Sequence, residues 1–239
     1  MHYILCILCV FSLTACERRQ GTVEWEAGDL LFQSIRSELG SAIEEVTAGA
    51  GERSFSHVGM LVVDSADRWH VIEAIGNSVQ LTPVDTFLQR GTTVVARLKA
   101  EYHSLLPAAI VFALQQLGTP YDDAYLYDNG KYYCSELIYD AFLFANHGRP
   151  FFTLEPMTFK SPVTGEWTNE WLQHYNALGI PIPEGKPGCN PTGLSRSDKL
   201  EMKRRVSAPA LRITHHAPYH SFPQCNLAVH PVPCLFRRR

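Results

Sequence analysis

The chain has 239 residues, 46% of them hydrophobic and 19% charged, with a mean hydropathy of −0.09. That composition excludes a collagenous or wholly disordered chain, and no apolar run reaches the roughly 20 residues of a membrane span. The net charge of −3 conceals an asymmetry: Lys203 to Arg239 holds seven Lys or Arg and no acid, which leaves 14 basic against 24 acidic residues in 1–202. An acidic body argues against nucleic acid as a partner.

In chain order, the first element is a targeting segment. An apolar run from Ile4 to Leu13 is followed by Thr14, Ala15 and Cys16, the layout of a signal peptide over residues 1–15, with small residues before the cleavage point. Leu13-Thr14-Ala15-Cys16 resembles the bacterial lipobox, which implies Cys16 as the lipidated first residue of the mature chain. Cys6 and Cys9 would leave with the signal, so their spacing carries no redox meaning. Glu17 after the lipidated position implies an outer-membrane location facing the periplasm, where the lipid tethers the protein without spanning. In that oxidising compartment Cys134, Cys189, Cys225 and Cys234 are open to pairing unless chemistry keeps one free. Residues 16–24 then form a lipidated tether.

A domain is expected over residues 25–202. Trp25 to Phe32 reads as a turn feeding an apolar strand, and residues 34–52 as a short helix closed by a flexible loop. His57–Val63 and Trp69–Ile75 read as a hairpin around the turn-forming Asp64–Arg68. A register centred on Ser65 would set His57 directly across from Glu73 and Leu61 across from Trp69, with Cβ atoms about 4.5–5.5 Å apart. Further strands are expected at Val79–Pro83 and Thr92–Leu98, with a short helix at Val84–Gln89 between them. Leu105–Leu117 has helical spacing. A second helix starts near Cys134 with Leu137, Ile138, Ala141, Phe142 and Ala145 as its buried stripe, and a short one lies around Thr168–Leu178. Residues 203–239 are basic, show no apolar periodicity and read as a disordered tail.

The chemistry concentrates at Lys131-Tyr132-Tyr133-Cys134-Ser135-Glu136-Leu137. A cysteine in the first turn of a helix has its thiolate stabilised by unpaired backbone N–H groups and the helix dipole, which makes it a nucleophile. Such a catalyst needs a base and a group to orient that base, roles that His57 and Glu73 can fill. Gly28-Asp29-Leu30-Leu31-Phe32, Ser56-His57-Val58-Gly59, Val71-Ile72-Glu73-Ala74, Gly118-Thr119-Pro120-Tyr121-Asp122 and Tyr133-Cys134-Ser135-Glu136-Leu137 resemble, in order, the YiiX-like branch of the permuted papain-fold (NlpC-type) cysteine hydrolases. Asn190-Pro191 and Leu194-Ser195-Arg196-Ser197 are similar to the closing motif of that branch. The histidine precedes the cysteine here, the reverse of papain, as circular permutation requires.

The resemblance implies an α+β fold, with an antiparallel sheet packed against the helix that carries the cysteine. It implies Cys134 as nucleophile, His57 as general base and acid, Glu73 as the group that orients the imidazole, and Tyr121 beside the Cys134 N–H as an oxyanion donor. Asp29 and Glu136 are expected to cap or orient backbone. The expected activity is a thiol amidase or peptidase, with a peptide or amide from the cell envelope as substrate, or a lipid acyl group. A non-catalytic peptide- or lipid-binding lipoprotein and a thiol acyltransferase are the alternatives. No motif calls for a cofactor. His216, His220, Cys225, His230 and Cys234 match no strong zinc template, so no metal site is assigned.

Overall fold

The computed structural model describes residues 24–48 and 53–206. The expected signal peptide, Cys16, residues 17–23 of the tether, and the segment from Ser207 onward with Cys225 and Cys234 lie outside the described residues. The elements in chain order are β1 (Leu30–Ile35), α1 (Glu38–Thr47), β2 (His57–Val63), β3 (Trp69–Ile75), β4 (Ser78–Pro83), α2 (Val84–Gln89) and β5 (Gly91–Leu98). A 3-10 turn (Ala100–Leu105) leads into α3 (Leu106–Gln115) and then α4 (Cys134–Ala145). The two-residue strands β6 (Glu155–Pro156) and β7 (Pro187–Gly188), with α5 (Asn169–Leu178), α6 (Pro191–Ser195) and β8 (Leu200–Val206), complete the order.

Strands β4-β3-β2-β1-β5-β8 form one sheet, antiparallel throughout. Side chains alternate across a strand, and both faces of this sheet are covered. Leu30, Phe32, Val58, Met60, Ile72, Ala74, Val94 and Ala96 join the core with Ala109 and Ala113 of α3 and Leu137, Ile138, Ala141 and Phe142 of α4. On the other face Leu31, Leu61, Val71 and Val95 pack with Val84, Phe87 and Leu88 of α2 and with Trp25. Double burial is why β1, β2 and β5 read as nearly continuous apolar runs rather than as alternating patterns.

The β2–β3 register differs from the expected one. Met60 pairs with Ile72, Leu61 with Val71 and Val63 with Trp69, a ladder centred on Ala66 rather than Ser65. The turn sets this. The Asp64 carboxylate accepts the Ala66 and Arg68 N–H groups at 2.8 and 3.0 Å, Asp64 N–H donates to the Arg68 carbonyl at 3.0 Å, and Asp67 turns the chain with φ +57°. All of Asp64–Arg68 is therefore spent on the loop. The displacement is an even number of residues, so each side chain keeps its face. Glu73 becomes the diagonal neighbour of His57, and the residue opposite Glu73, with the register continued, is Gly59.

The end of the domain also differs. β8 pairs with β5 from Leu98↔Leu200 to Thr93↔Val206, with a bulge between Val94 and Ala96. Residues 203–206, expected in the tail, are thus part of the sheet. Only Leu200 and Val206 of this strand are buried apolar residues, and charges along an edge strand hide its apolar pattern while discouraging pairing with other chains.

Candidate active site

Helix α4 begins at Cys134, after an extended Tyr133 at the N-cap with φ −93° and ψ 167°. The three residues around the thiol are held by side-chain bonds. The Tyr133 hydroxyl accepts the Cys189 N–H at 3.2 Å, and Ser135 Oγ donates to the Cys189 carbonyl at 3.0 Å. Glu136 Oε1 accepts the Asp128 N–H at 2.9 Å, and its carboxyl also takes a backbone bond from Tyr133, one half of a capping box. Burial pushes the Glu136 carboxyl up to about 8, helped by Asp140 and Asp122 and opposed by those backbone bonds. At neutral pH Glu136 is therefore an uncharged clamp on the helix start. The Cys134 N–H belongs to the first turn and has no intrahelical acceptor.

His57 is the first residue of β2 and is buried, as is Glu73 in β3. His57 Nε2 and Glu73 Oε2 are 2.5 Å apart. This bond leaves Nδ1 uncommitted to Glu73, and Cys134 is near enough to act electrostatically on the imidazole. Burial disfavours the imidazolium, but Cys134 and then Glu73 outweigh it and push His57 up from 6.5 to about 9. The approach of the two strands depends on Gly59. A Cβ there would lie 2.4 Å from Val71 Cγ1, 3.1 Å from the Ile72 carbonyl and 3.2 Å from Glu73 Cβ.

A residue that sequence reasoning did not single out completes this row. Arg90, at the C-cap of α2, places Nη2 2.7 Å from both oxygens of Glu73. Its guanidinium lies over the Phe87 ring at 4.7 Å, and Phe87 packs against the His57 ring at a centroid distance of 5.9 Å. Burial opposes the ionised form of Glu73, yet His57 and Arg90 together hold its carboxyl below the usual carboxylate range. The only signal in the sequence was an Arg three residues after Phe87, which puts both on one side of a short helix.

Tyr121 lies in the loop before α4, where its N–H donates to the Asn77 carbonyl at 3.0 Å. Its hydroxyl donates to that of Tyr125 at 3.3 Å. Burial, then Tyr125 and Cys134, push the Tyr121 phenol well above its ordinary range, so it keeps its proton. Tyr125, with φ +52°, is a second residue missed in the sequence. Asp122 holds its strained loop by accepting Ala124 and Leu126 N–H groups at 3.1 and 2.6 Å, and non-glycine residues at positive φ concentrate where a site needs them. A cleft of about 590 Å³, open mouth included, runs beside Cys134. Tyr125, Ile43, Val46, Met157, Phe159 and Pro191 are among its walls, and Tyr121 is not among the residues that line it.

Asp29 is an anchor, accepting the Glu26 N–H at 3.0 Å and taking Arg97 at 2.7 and 2.9 Å. Thr192 in α6 donates to the Phe55 carbonyl at 3.2 Å and accepts the Phe55 N–H at 2.9 Å, which ties the closing motif to the start of β2. Cys134 and Cys189 are both free and buried, and burial pushes the Cys189 thiol up. Among the described residues no group of three or more His, Cys, Asp or Glu side chains could hold a metal ion, and the Glu73 carboxylate is already shared by an imidazole and a guanidinium.

The chain is similar to known proteins in sequence and in fold. A curated relative, the uncharacterized protein YiiX of Escherichia coli strain K12, is 32% identical over 124 residues, which cover 49% of this chain and 57% of that protein. The match thus spans little more than half the length of the relative. A solved structure, described as the crystal structure of metalloprotein yiiX from Escherichia coli O157:H7, superposes with a TM-score of 0.61 at 24% identity, over 76% of this chain and 98% of the other, and shows the fold. Residues 24–202 match the family described as permuted papain-like amidase enzyme, YaeF/YiiX, C92 family, and with that extent of match the chain belongs to the permuted papain-like amidases of the YaeF/YiiX type.

Proposed function

We propose that the protein is a thiol hydrolase of amide bonds that works through Cys134, His57 and Glu73 and a thioester intermediate. One observation carries the reading: an imidazole bonded at 2.5 Å to a buried carboxylate, under the electrostatic influence of a cysteine that opens a helix. The Cys134 thiolate attacks the substrate carbonyl, a C–S bond forms, and the carbonyl electron pair moves onto oxygen. The Cys134 N–H is the donor assigned to that oxyanion, and Tyr121, expected as a second donor, stands behind Tyr125, to whose hydroxyl it donates. Protonation of the leaving nitrogen by the His57 imidazolium breaks the C–N bond and gives the thioester. Neutral His57 then takes a proton from water, whose oxygen displaces the sulfur and restores the thiolate. Glu73 holds the ring in orientation through both halves.

The walls of the cleft are largely apolar, with Glu155 as their one charged residue, which supports envelope peptides with an apolar side chain or, as a second reading, a lipid acyl group. The lipobox-like Cys16 supports a lipid-anchored protein at the outer membrane. Two experiments test these assignments. Iodoacetamide should alkylate Cys134 rapidly in the wild type and slowly in His57→Ala; equal, slow rates in both would point to the binding lipoprotein instead. Palmitate labelling in bacterial cells should disappear in Cys16→Ala, and unchanged labelling would refute the anchor.

A further inference from the structure

The bonding partner of His57 presents a chemical difficulty for the reaction proposed above. A buried carboxylate against an imidazole favours the imidazolium, yet hydrolysis of the thioester requires His57 as a neutral base. While sulfur is a thiolate its charge compensates the imidazolium. Once sulfur is acylated that compensation is gone, and Glu73 alone would hold the proton on His57.

Arg90 changes this balance. Its Nη2 is 2.7 Å from both Glu73 oxygens, so the row Cys134, His57, Glu73, Arg90 alternates in sign and sums to zero with a thiolate and an imidazolium. It also sums to zero in the acyl-enzyme with a neutral imidazole, because Glu73 and Arg90 cancel. The remaining surroundings of His57 leave this row as its charged environment. The residue opposite it on β1 is the uncharged amide of Gln33, which is committed to the Phe87 carbonyl at 2.8 Å and to Thr93 Oγ1 at 2.9 Å. Glu44 of α1 is bonded to Ser56 at 3.0 Å, and Tyr121 and Tyr125 interact with Cys134. The Gln33 bond to Phe87 also fixes α2 against the sheet, which holds Arg90 at its station.

We propose that Arg90 is a positioning residue which cancels the charge of Glu73, so that Glu73 orients His57 without trapping its proton and His57 can serve as the base that hydrolyses the thioester. The inference rests on the hydrolase reading.

The test uses p-nitrophenyl acetate as acyl donor and follows the nitrophenolate burst (acylation) and the steady state (thioester hydrolysis) across neutral and alkaline pH. Arg90→Met should keep a burst that depends on Cys134, slow thioester hydrolysis roughly tenfold at neutral pH, and move the rise of that rate to higher pH. Arg90→Gln, which keeps donors without charge, should move the profile in the same direction even if Arg90→Met fails to fold. Arg90→Lys should restore the wild-type profile. A profile unmoved in folded Arg90→Met or Arg90→Gln, or a loss equal at every pH, overturns the inference alone. Absence of a wild-type burst, or a burst that persists in Cys134→Ala, overturns the hydrolase reading beneath it.

Discussion

Replacing Glu73 by Gln keeps an oxygen to accept the His57 N–H and removes the negative charge. His57 stands at about 9 rather than 6.5, which corresponds to roughly 3 kcal/mol in favour of the imidazolium. Cys134 and Glu73 share that effect against the cost of burial. Loss of the carboxylate charge should bring the His57 midpoint down by about one pH unit or more, worth about 1.4 kcal/mol. The assay is the titration of the His57 ring by NMR in histidine-labelled protein, assigned by its absence in His57→Gln. Stability provides an independent reading. A histidine raised in the folded state contributes stability that is complete below 6.5 and is lost as pH rises through about 9. Urea denaturation should therefore show the wild type losing stability across that window and Glu73→Gln losing less. A midpoint still near 9 in Glu73→Gln would refute the argument that the carboxylate charge sustains the imidazolium.

Glu136 follows the same sign as His57: its folded value is raised from 4.5 to about 8, so its contribution is full below 4.5 and is lost progressively as pH climbs from there through 8. Glu136→Gln should match the wild type in urea melts near pH 4 and exceed it by about 2–4 kcal/mol above pH 8; equal stability at both would show that the buried carboxyl is not protonated. Gly59→Ala should cost about 1–3 kcal/mol through overpacking of β2 on β3 and lower the acylation burst, because the new methyl meets the Ile72 carbonyl and Glu73 Cβ; a full burst would mean that the strands part without disturbing the His57–Glu73 bond. Tyr133→Phe leaves the buried Cys189 N–H without its acceptor and should cost about 1–3 kcal/mol in chemical denaturation, whereas an unchanged midpoint would show that another group takes over that donor.

Legibility differed between elements for physical reasons. β2 and β3 were visible because β-branched and apolar residues are concentrated between turn residues, and their bounds agree with the structure. The stripe Leu137, Ile138, Ala141, Phe142, Ala145 was visible because a helix packed on a sheet must repeat its apolar residues at 3.6-residue spacing, and all five are buried. β8 escaped because an edge strand with two buried apolar residues has no pattern to detect. Arg90 and Tyr125 escaped because their roles arise from partners 17 residues or more away in sequence and from a backbone conformation at positive φ, neither of which leaves a local signature.

The sequence by itself determined the order of elements from β1 to α4 and the cysteine at the start of a helix, and, for a hairpin of even displacement, the sharing of one sheet face by His57 and Glu73. Those properties follow from residue type and periodicity, and they survive any even displacement of the hairpin. Only the tertiary structure decided which residue stands opposite Glu73, that a guanidinium from α2 caps its carboxylate, and that the neighbours of the thiol are clamped by Cys189 and Asp128. Such matters depend on how segments distant in the chain meet, and the balance of charge around a buried imidazole is set where they do.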